Sequence, residues 1–302
     1  MGFEQIIGPN FICPTPPSGD STNRIADTAF VTAAIAAIPP PPTPPVQIIP
    51  YGHLWGLTLS TAGSSATFSV AIGQAVDSTN VDFMTLASSI SKTTAAWAVG
   101  TGNGAWDGTG TNPTGASIWQ HVHLIKRTDT GVVDILISAS ATSPTLPASY
   151  TEFRRIGSMK TNASNQWIAF NQFGNNFYWV TGVNDSTSIP TSTDTVYTLA
   201  SVPTGVRVIP FVQIGLAGTS NTIGARIRSP DMNSTETAIS ATNGLATWDV
   251  VANGSTITRS AWANMPIITN TSAQVNIIAD SLNSGNGFTL RTEGWYDFRG
   301  MI

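Results

Sequence analysis

Charge is what this chain has least of. Asp, Glu, Lys and Arg together make up 10% of its 302 residues, against roughly 25% in ordinary soluble domains. Hydrophobic residues still make up 41%, so the low charge does not mark a disordered chain. The polar share falls to Ser, Thr, Asn and Gly, which suit strands and tight turns. They suit long helices poorly, because their side chains compete for the backbone. A net charge of −4 with no basic block excludes a nucleic-acid partner. The pairs Lys126-Arg127 and Arg154-Arg155 read as solvated strand ends rather than a phosphate track. Cys13 is the single cysteine, which excludes an intrachain disulfide and with it a secreted disulfide scaffold. The opening MGFEQIIGPNFICP has neither the basic start nor the apolar run of a signal peptide. No stretch reaches the roughly 20 apolar residues that span a bilayer. The expectation is a protein made in a cytoplasm without a signal of its own and without membrane insertion.

Catalytic signatures are missing as well. Glu4, Glu152, Glu236 and Glu293 form no spacing that proposes a carboxylate pair of the kind used in glycoside hydrolysis. Asp77, Asp82, Asp107, Asp129, Asp185 and Asp194 lie in turn-like contexts, where a turn role is the default. There is no regular short repeat, no Cys-His cluster, no phosphate loop and no nucleophile elbow. The expectation is a non-enzymatic chain with no cofactor. His121 and His123, two apart on a strand, share one face. In a trimer, three such pairs around an axis offer six imidazoles to one metal ion. The plainer reading, preferred here, is two partly exposed strand histidines and no metal.

What is present divides into four parts. Residues 1–20 are apolar pieces broken by Pro and Gly, including Phe3, Ile6, Ile7, Phe11 and Ile12. They read either as an arm ordered on a partner surface or as a frayed terminus. Residues 21–45 comprise a helix and a spacer. Ser21, Thr22 or Asn23 caps a helix running to Ile38, and Thr28, Val31, Ile35 and Ile38 form a coiled-coil seam of about one and a half heptads. So short a helix is marginal alone. Its apolar stripe is expected to pack on a symmetry mate, or else on its own chain. Pro39–Pro45 then enforces a stiff polyproline II segment.

From residue 46 onward, short strands with partial period-two alternation are punctuated by Gly, Asn, Asp and Pro. HVHLIKRT and VVDILISA form a hairpin turning at Asp129-Thr130-Gly131. Residues 101–117 read as a long surface loop. Strand-like runs recur every ten to fifteen residues or so, the spacing of sandwiches and jelly rolls. The fold expected is mainly β: a short N-terminal helix and polyproline spacer, then two β-sandwich or jelly-roll-like modules over residues 46–180 and 181–302.

Several stretches carry a resemblance. SGDSTNRIADTAFVTAAIAA is similar to a small N-terminal motif of phage and prophage tail-fibre-like virion proteins. YGHLWGLTLS, DSTNVDFMTL, AAWAVGTGNGAWD, GVVDILISASATSPTLPASYTEFRRIGSM and the final EGWYDFRGMI together resemble a module of prophage tail proteins. The resemblance covers roughly residues 18–180 and the last ten or so, with the FRRIGS block its most specific part. It implies a homotrimeric fibre or spike, an N-terminal end attached to other virion proteins, and a β-rich distal end facing the host. It carries no catalytic residue set. The expected place is the virion and the expected role structural, with a contribution to host attachment. The alternatives are a polysaccharide-degrading tailspike enzyme, or a capsid or baseplate decoration or connector.

Among nine tryptophans, Trp55, Trp97, Trp167 and Trp248 read as core or interface anchors. Trp106 has no apparent strand to bury it, and an exposed indole is a stacking surface for sugar. Trp106, Asp107 and Asn112 are therefore candidate contacts to a host surface glycan or protein. Loops of the 195–302 region, which match the familiar module least, are the other candidate for receptor contact.

Overall fold

The computed structural model describes residues 17, 19, 28–39, 49–115, 117–218, 224–232, 257–262, 267–280 and 287–300. The chain divides into two compact units, residues 1–48 and 49–302.

In the first unit the described element is α1 (Thr28–Ala36). Its Ala-rich sequence favours helix, and Thr32 closes its hydroxyl back onto the Thr28 carbonyl at 2.7 Å. Val31 and Ile35 are exposed side chains on it. Ile38 lies past the end of the helix, although the expected helix ran through it. The expected cap at Ser21–Asn23, the arm residues Phe3, Ile6, Ile7, Phe11 and Ile12, and the spacer from Pro40 onward lie outside the described residues.

The second unit is built of strands. The first nine are β1 (Leu54–Gly56), β2 (Leu59–Ser60), β3 (Thr67–Val70), β4 (Gly73–Val76), β5 (Phe83–Leu86), β6 (Ile90–Ala96), β7 (Gly104–Trp106), β8 (Trp119–Lys126) and β9 (Val133–Ser138). The others described are β10 (Glu152–Lys160), β11 (Phe170–Phe173), β12 (Asn176–Ser186), β13 (Thr195–Thr198), β14 (Val208–Gly218), β15 (Gly224–Arg228), β16 (Ile257–Trp262), β17 (Gln274–Asp280) and β18 (Gly287–Asp297). They form sheets ordered β1-β4-β5, β10-β8-β9-β7-β6-β3-β2, β11-β12-β18-β14-β16 and β13-β17-β15. The architecture is mainly β with several sheets.

The predicted hairpin forms as β8 and β9, closed by the Arg127 N–H on the Val132 carbonyl at 2.9 Å. Residues 101–117, expected to be loop, contain β7, which runs parallel to both β6 and β9. Only glycine fits at Gly104, where a Cβ would lie 2.0 Å from the Ala96 carbonyl oxygen.

β8 and β9 are buried on both faces, so their sequences lose alternation. Val122, Leu124, Ile135 and Ile137 point into the main core, while Ile125 and Leu136 meet Tyr150 on the other side. Aromatic rings join the large sheets. Trp295 of β18 stacks on Phe177 of β12 at 5.0 Å and takes the edge of Trp119 of β8 at 5.5 Å. The boundary expected at 180/181 falls inside β12, and one buried cluster runs from Leu57 to Trp295.

The expectation for Arg154-Arg155 is overturned: both are buried. Arg155 makes a two-pronged ion pair with buried Asp297, with one arm at 2.9 Å, and also donates to the Ser158 hydroxyl at 3.1 Å. Arg154 donates to the Gly300 carbonyl. Arg299 returns the contact, donating to the carbonyls of Ile156 at 3.0 Å, Leu57 at 3.2 Å and Gly56 at 3.0 Å. Burial lowers its pKa to about 10, which leaves it charged at neutral pH. These bonds fasten β10 to the segment leaving β18.

Asp297→Ala strands the Arg155 guanidinium in the core and is expected to cost about 3–5 kcal/mol of stability. Arg155→Met combined with Asp297→Leu is expected to recover most of that loss. Urea-unfolding midpoints of the three variants check this. A double variant as unstable as Asp297→Ala would show that the pair contributes through packing rather than charge.

Candidate binding surface

Three loops and Phe298, just past β18, line an open cleft of about 480 Å³. Val206, Ile268 and Phe298 give it apolar walls, Thr142 and Thr271 bring hydroxyl side chains, and Arg207 is its cation. Hydrogen bonds hold the walls: the Gly205 N–H meets the Thr271 carbonyl at 2.7 Å, and the Ile268 N–H meets the Ser229 hydroxyl at 2.8 Å. Gly205 takes φ +78°, a conformation that favours glycine. Arg207 pairs with Asp231 at 2.8 Å, and the two side chains are 58% and 50% exposed. An exposed pair of this kind contributes little to stability.

Outside the cavity, further rings lie on the face of the five-stranded sheet away from Trp295. Phe298 meets Tyr296 edge-on at 5.2 Å. Two residues back along β18, Gly294 sits between Tyr178 and Phe211 in the ladder. With no side chain between them, those rings stack at 5.1 Å. Phe173, 66% exposed, extends the row at 6.3 Å from Tyr178. The Asn175 amide fixes the Tyr296 hydroxyl at 3.2 Å.

The predicted contact residues lie elsewhere. Trp106 belongs to β7, is half-buried against the main core, and donates its indole N–H to the Thr109 carbonyl at 3.1 Å. The Asp107 carboxylate accepts from the N–H and hydroxyl of Thr109, both at 2.9 Å, and from the Thr145 N–H at 3.1 Å. Asn112 accepts from the Thr114 N–H at 2.9 Å and its hydroxyl at 2.8 Å. All three polar groups already have partners within the chain, Asp107 also tying down the distant Thr145. Trp167 is a core residue as expected and Trp97 is half-buried against Tyr150. Trp55 is not a core residue, being 61% exposed, and Trp248 lies outside the described residues.

His121 and His123 share a face but are buried rather than partly exposed. His121 Nδ1 meets the Ser158 hydroxyl at 2.9 Å, and His123 Nε2 meets the Ser140 carbonyl at 3.0 Å. Burial pushes His121 well below the usual imidazole range, helped by the charge of Arg155. It pushes His123 down to about 4. Both rings are neutral at pH 7. Among the described residues no group of three His, Cys, Asp or Glu side chains could hold a metal ion.

The structure does bring carboxylates together. Asp82 and Glu152 both pair with Lys126, Glu152 at 3.6 Å. Burial raises the Glu152 pKa, and the Asp82 charge adds to the rise. Burial works to lower the Lys126 pKa, but the two carboxylates outweigh it and the net direction is upward. Spacing gave no sign of this cluster, because its members lie on separate strands. A second buried pair, Lys92 with Asp134 at 3.0 Å, holds the β6–β7 loop through the carbonyls of Ala98 and Gly100. Among the described residues no helix is long and apolar enough to cross a membrane.

No protein-family model and no curated protein matches the chain.

The histidines set a pH dependence. Above the unfolded-state value of about 6.5 both states hold neutral imidazole and nothing is lost. Below it the unfolded chain takes up protons that the folded His123 refuses until about pH 4, so stability falls across that window. Denaturant titrations between pH 7 and 5 are expected to show this fall in the wild type, with a shallower slope in His123→Gln. Equal slopes would assign the fall to other groups.

Proposed function

We propose that this protein is a structural component of a phage virion: a trimeric fibre or spike, anchored by its N-terminal arm, that contributes to host attachment. The observation that carries the reading is the meeting of its two most familiar blocks. Phe153–Ser158 and Tyr296–Gly300 bind each other through Arg155–Asp297, Arg154–Gly300 and Arg299–Ile156. The resemblance therefore follows a single structural device rather than scattered words. Separate N-terminal and β-rich units suit an anchor and a working end, joined in this reading by the polyproline spacer, with the β-rich unit packed as sandwiches. The exposed Val31 and Ile35 on α1 give three copies a seam to bury. We read the protein as non-enzymatic: the Asp82 and Glu152 carboxylates share the Lys126 ammonium instead of standing free as acid and nucleophile. The partners proposed are two further copies, other virion proteins and a host surface glycan or protein.

The full chain is expected to sediment as a trimer at micromolar concentration. Val31→Asp with Ile35→Asp is expected to shift it to monomer with an unchanged β-type circular dichroism spectrum. Immunogold labelling of particles is expected to place the protein on the virion, and a chain lacking residues 1–45 is expected to be absent from it. A wild-type monomer, or incorporation of the shortened chain, overturns the reading.

A further inference from the structure

We propose that the cavity beside Phe298 binds an acidic sugar residue, its carboxylate on Arg207 and its ring against Phe298. The inference rests on the attachment reading and names what the working end takes. A volume of about 480 Å³ falls within the range of preformed small-ligand sites, about 300–1,000 Å³. Its lining has the two characters a pyranose needs. Phe298, Val206 and Ile268 face the C–H side of a ring, and Thr142 and Thr271 bring hydroxyl groups to meet its own. Phe298 is held by the edge of Tyr296, so little ordering is left to occur on binding.

Arg207 decides the sign of the ligand. It is the charged side chain among the lining residues. His121 Nε2 lies only 3.3 Å behind where a Gly205 side chain would begin, yet that ring stays neutral. A planar guanidinium takes a carboxylate through two parallel bonds. Asp231 already brings one carboxylate oxygen to within 2.8 Å of Arg207, and it does so from an exposed position. A ligand carboxylate can therefore displace Asp231 at little cost. Asp231 acts as an internal competitor, and this separates a ligand site from a surface ion pair that merely borders a hollow.

The test uses the full-length chain, saturation-transfer NMR titrations at low salt, and three probes: cellobiouronic acid, neutral cellobiose and sodium acetate. The acidic disaccharide is expected to bind at least fivefold tighter than the neutral one, with acetate a weak competitor. Arg207→Ala is expected to erase the difference by weakening the acidic disaccharide. Asp231→Asn is expected to tighten the acidic disaccharide about threefold without affecting the neutral one, and loss of fold cannot produce that gain. Equal binding of the two disaccharides, binding of neither, acetate competing as well as the acidic sugar, or no gain in Asp231→Asn overturns the proposal. A trimer found on the particle that fails these titrations leaves the virion role standing and removes only this site.

Discussion

The Arg155–Asp297 pair is the contact on which the β unit turns. A guanidinium and a carboxylate withdrawn from water interact strongly, but each must have all its polar atoms met. That requirement sets the neighbourhood. Ser158 takes a second bond from Arg155 and passes the order on to His121. The backbone bends to permit this, with a register shift in the β10–β8 ladder between Arg155 and Gly157. Arg299 uses the carbonyls freed around that bend and beside β1. One ion pair thus aligns β1, β8, β10 and the segment after β18.

Apolar burial explains why the sheets meet as they do. β14 alternates buried and half-buried positions along its length, as a strand with one covered face should. Its inner face gives Val212, Ile214 and Leu216 to the core. The outer face carries Ile209 and Phe211, and these join the ring row that leads to Phe298. The same strand pair therefore builds both the core and the outer shelf, and the Trp295 stack on one side stiffens the surface presented on the other.

Local patterns in the sequence were legible, and distant partners were not. The β8–β9 hairpin could be read because its turn and both strands lie within twenty residues or so. A helix running to Ile38 follows from Ala density and the Pro39 stop, and the described helix is its Thr28–Ala36 part. β7 escaped notice because three residues, Gly-Ala-Trp, carry no period, and its parallel partners lie in other segments. Arg154-Arg155 reads as a solvated strand end because two adjacent charges usually are one, and the buried partner, Asp297, is 142 positions away. Trp106 lies in the same stretch as β7, which half-buries it against the main core. The ring row did leave a trace in VIPFV and FYWV, where apolar residues fall on both faces of a strand.

The order of strands also bears on how the protein is made. β18 is the last strand described, yet it sits in the middle of its sheet, between β12 and β14. A ribosome that has released β12 and β14 has exposed two strand edges whose backbone N–H and C=O groups await β18. They can pair correctly only when β18 arrives, and the clasp closes only when residues 297–300 follow it. Folding of this unit is therefore held back until translation is nearly finished with it.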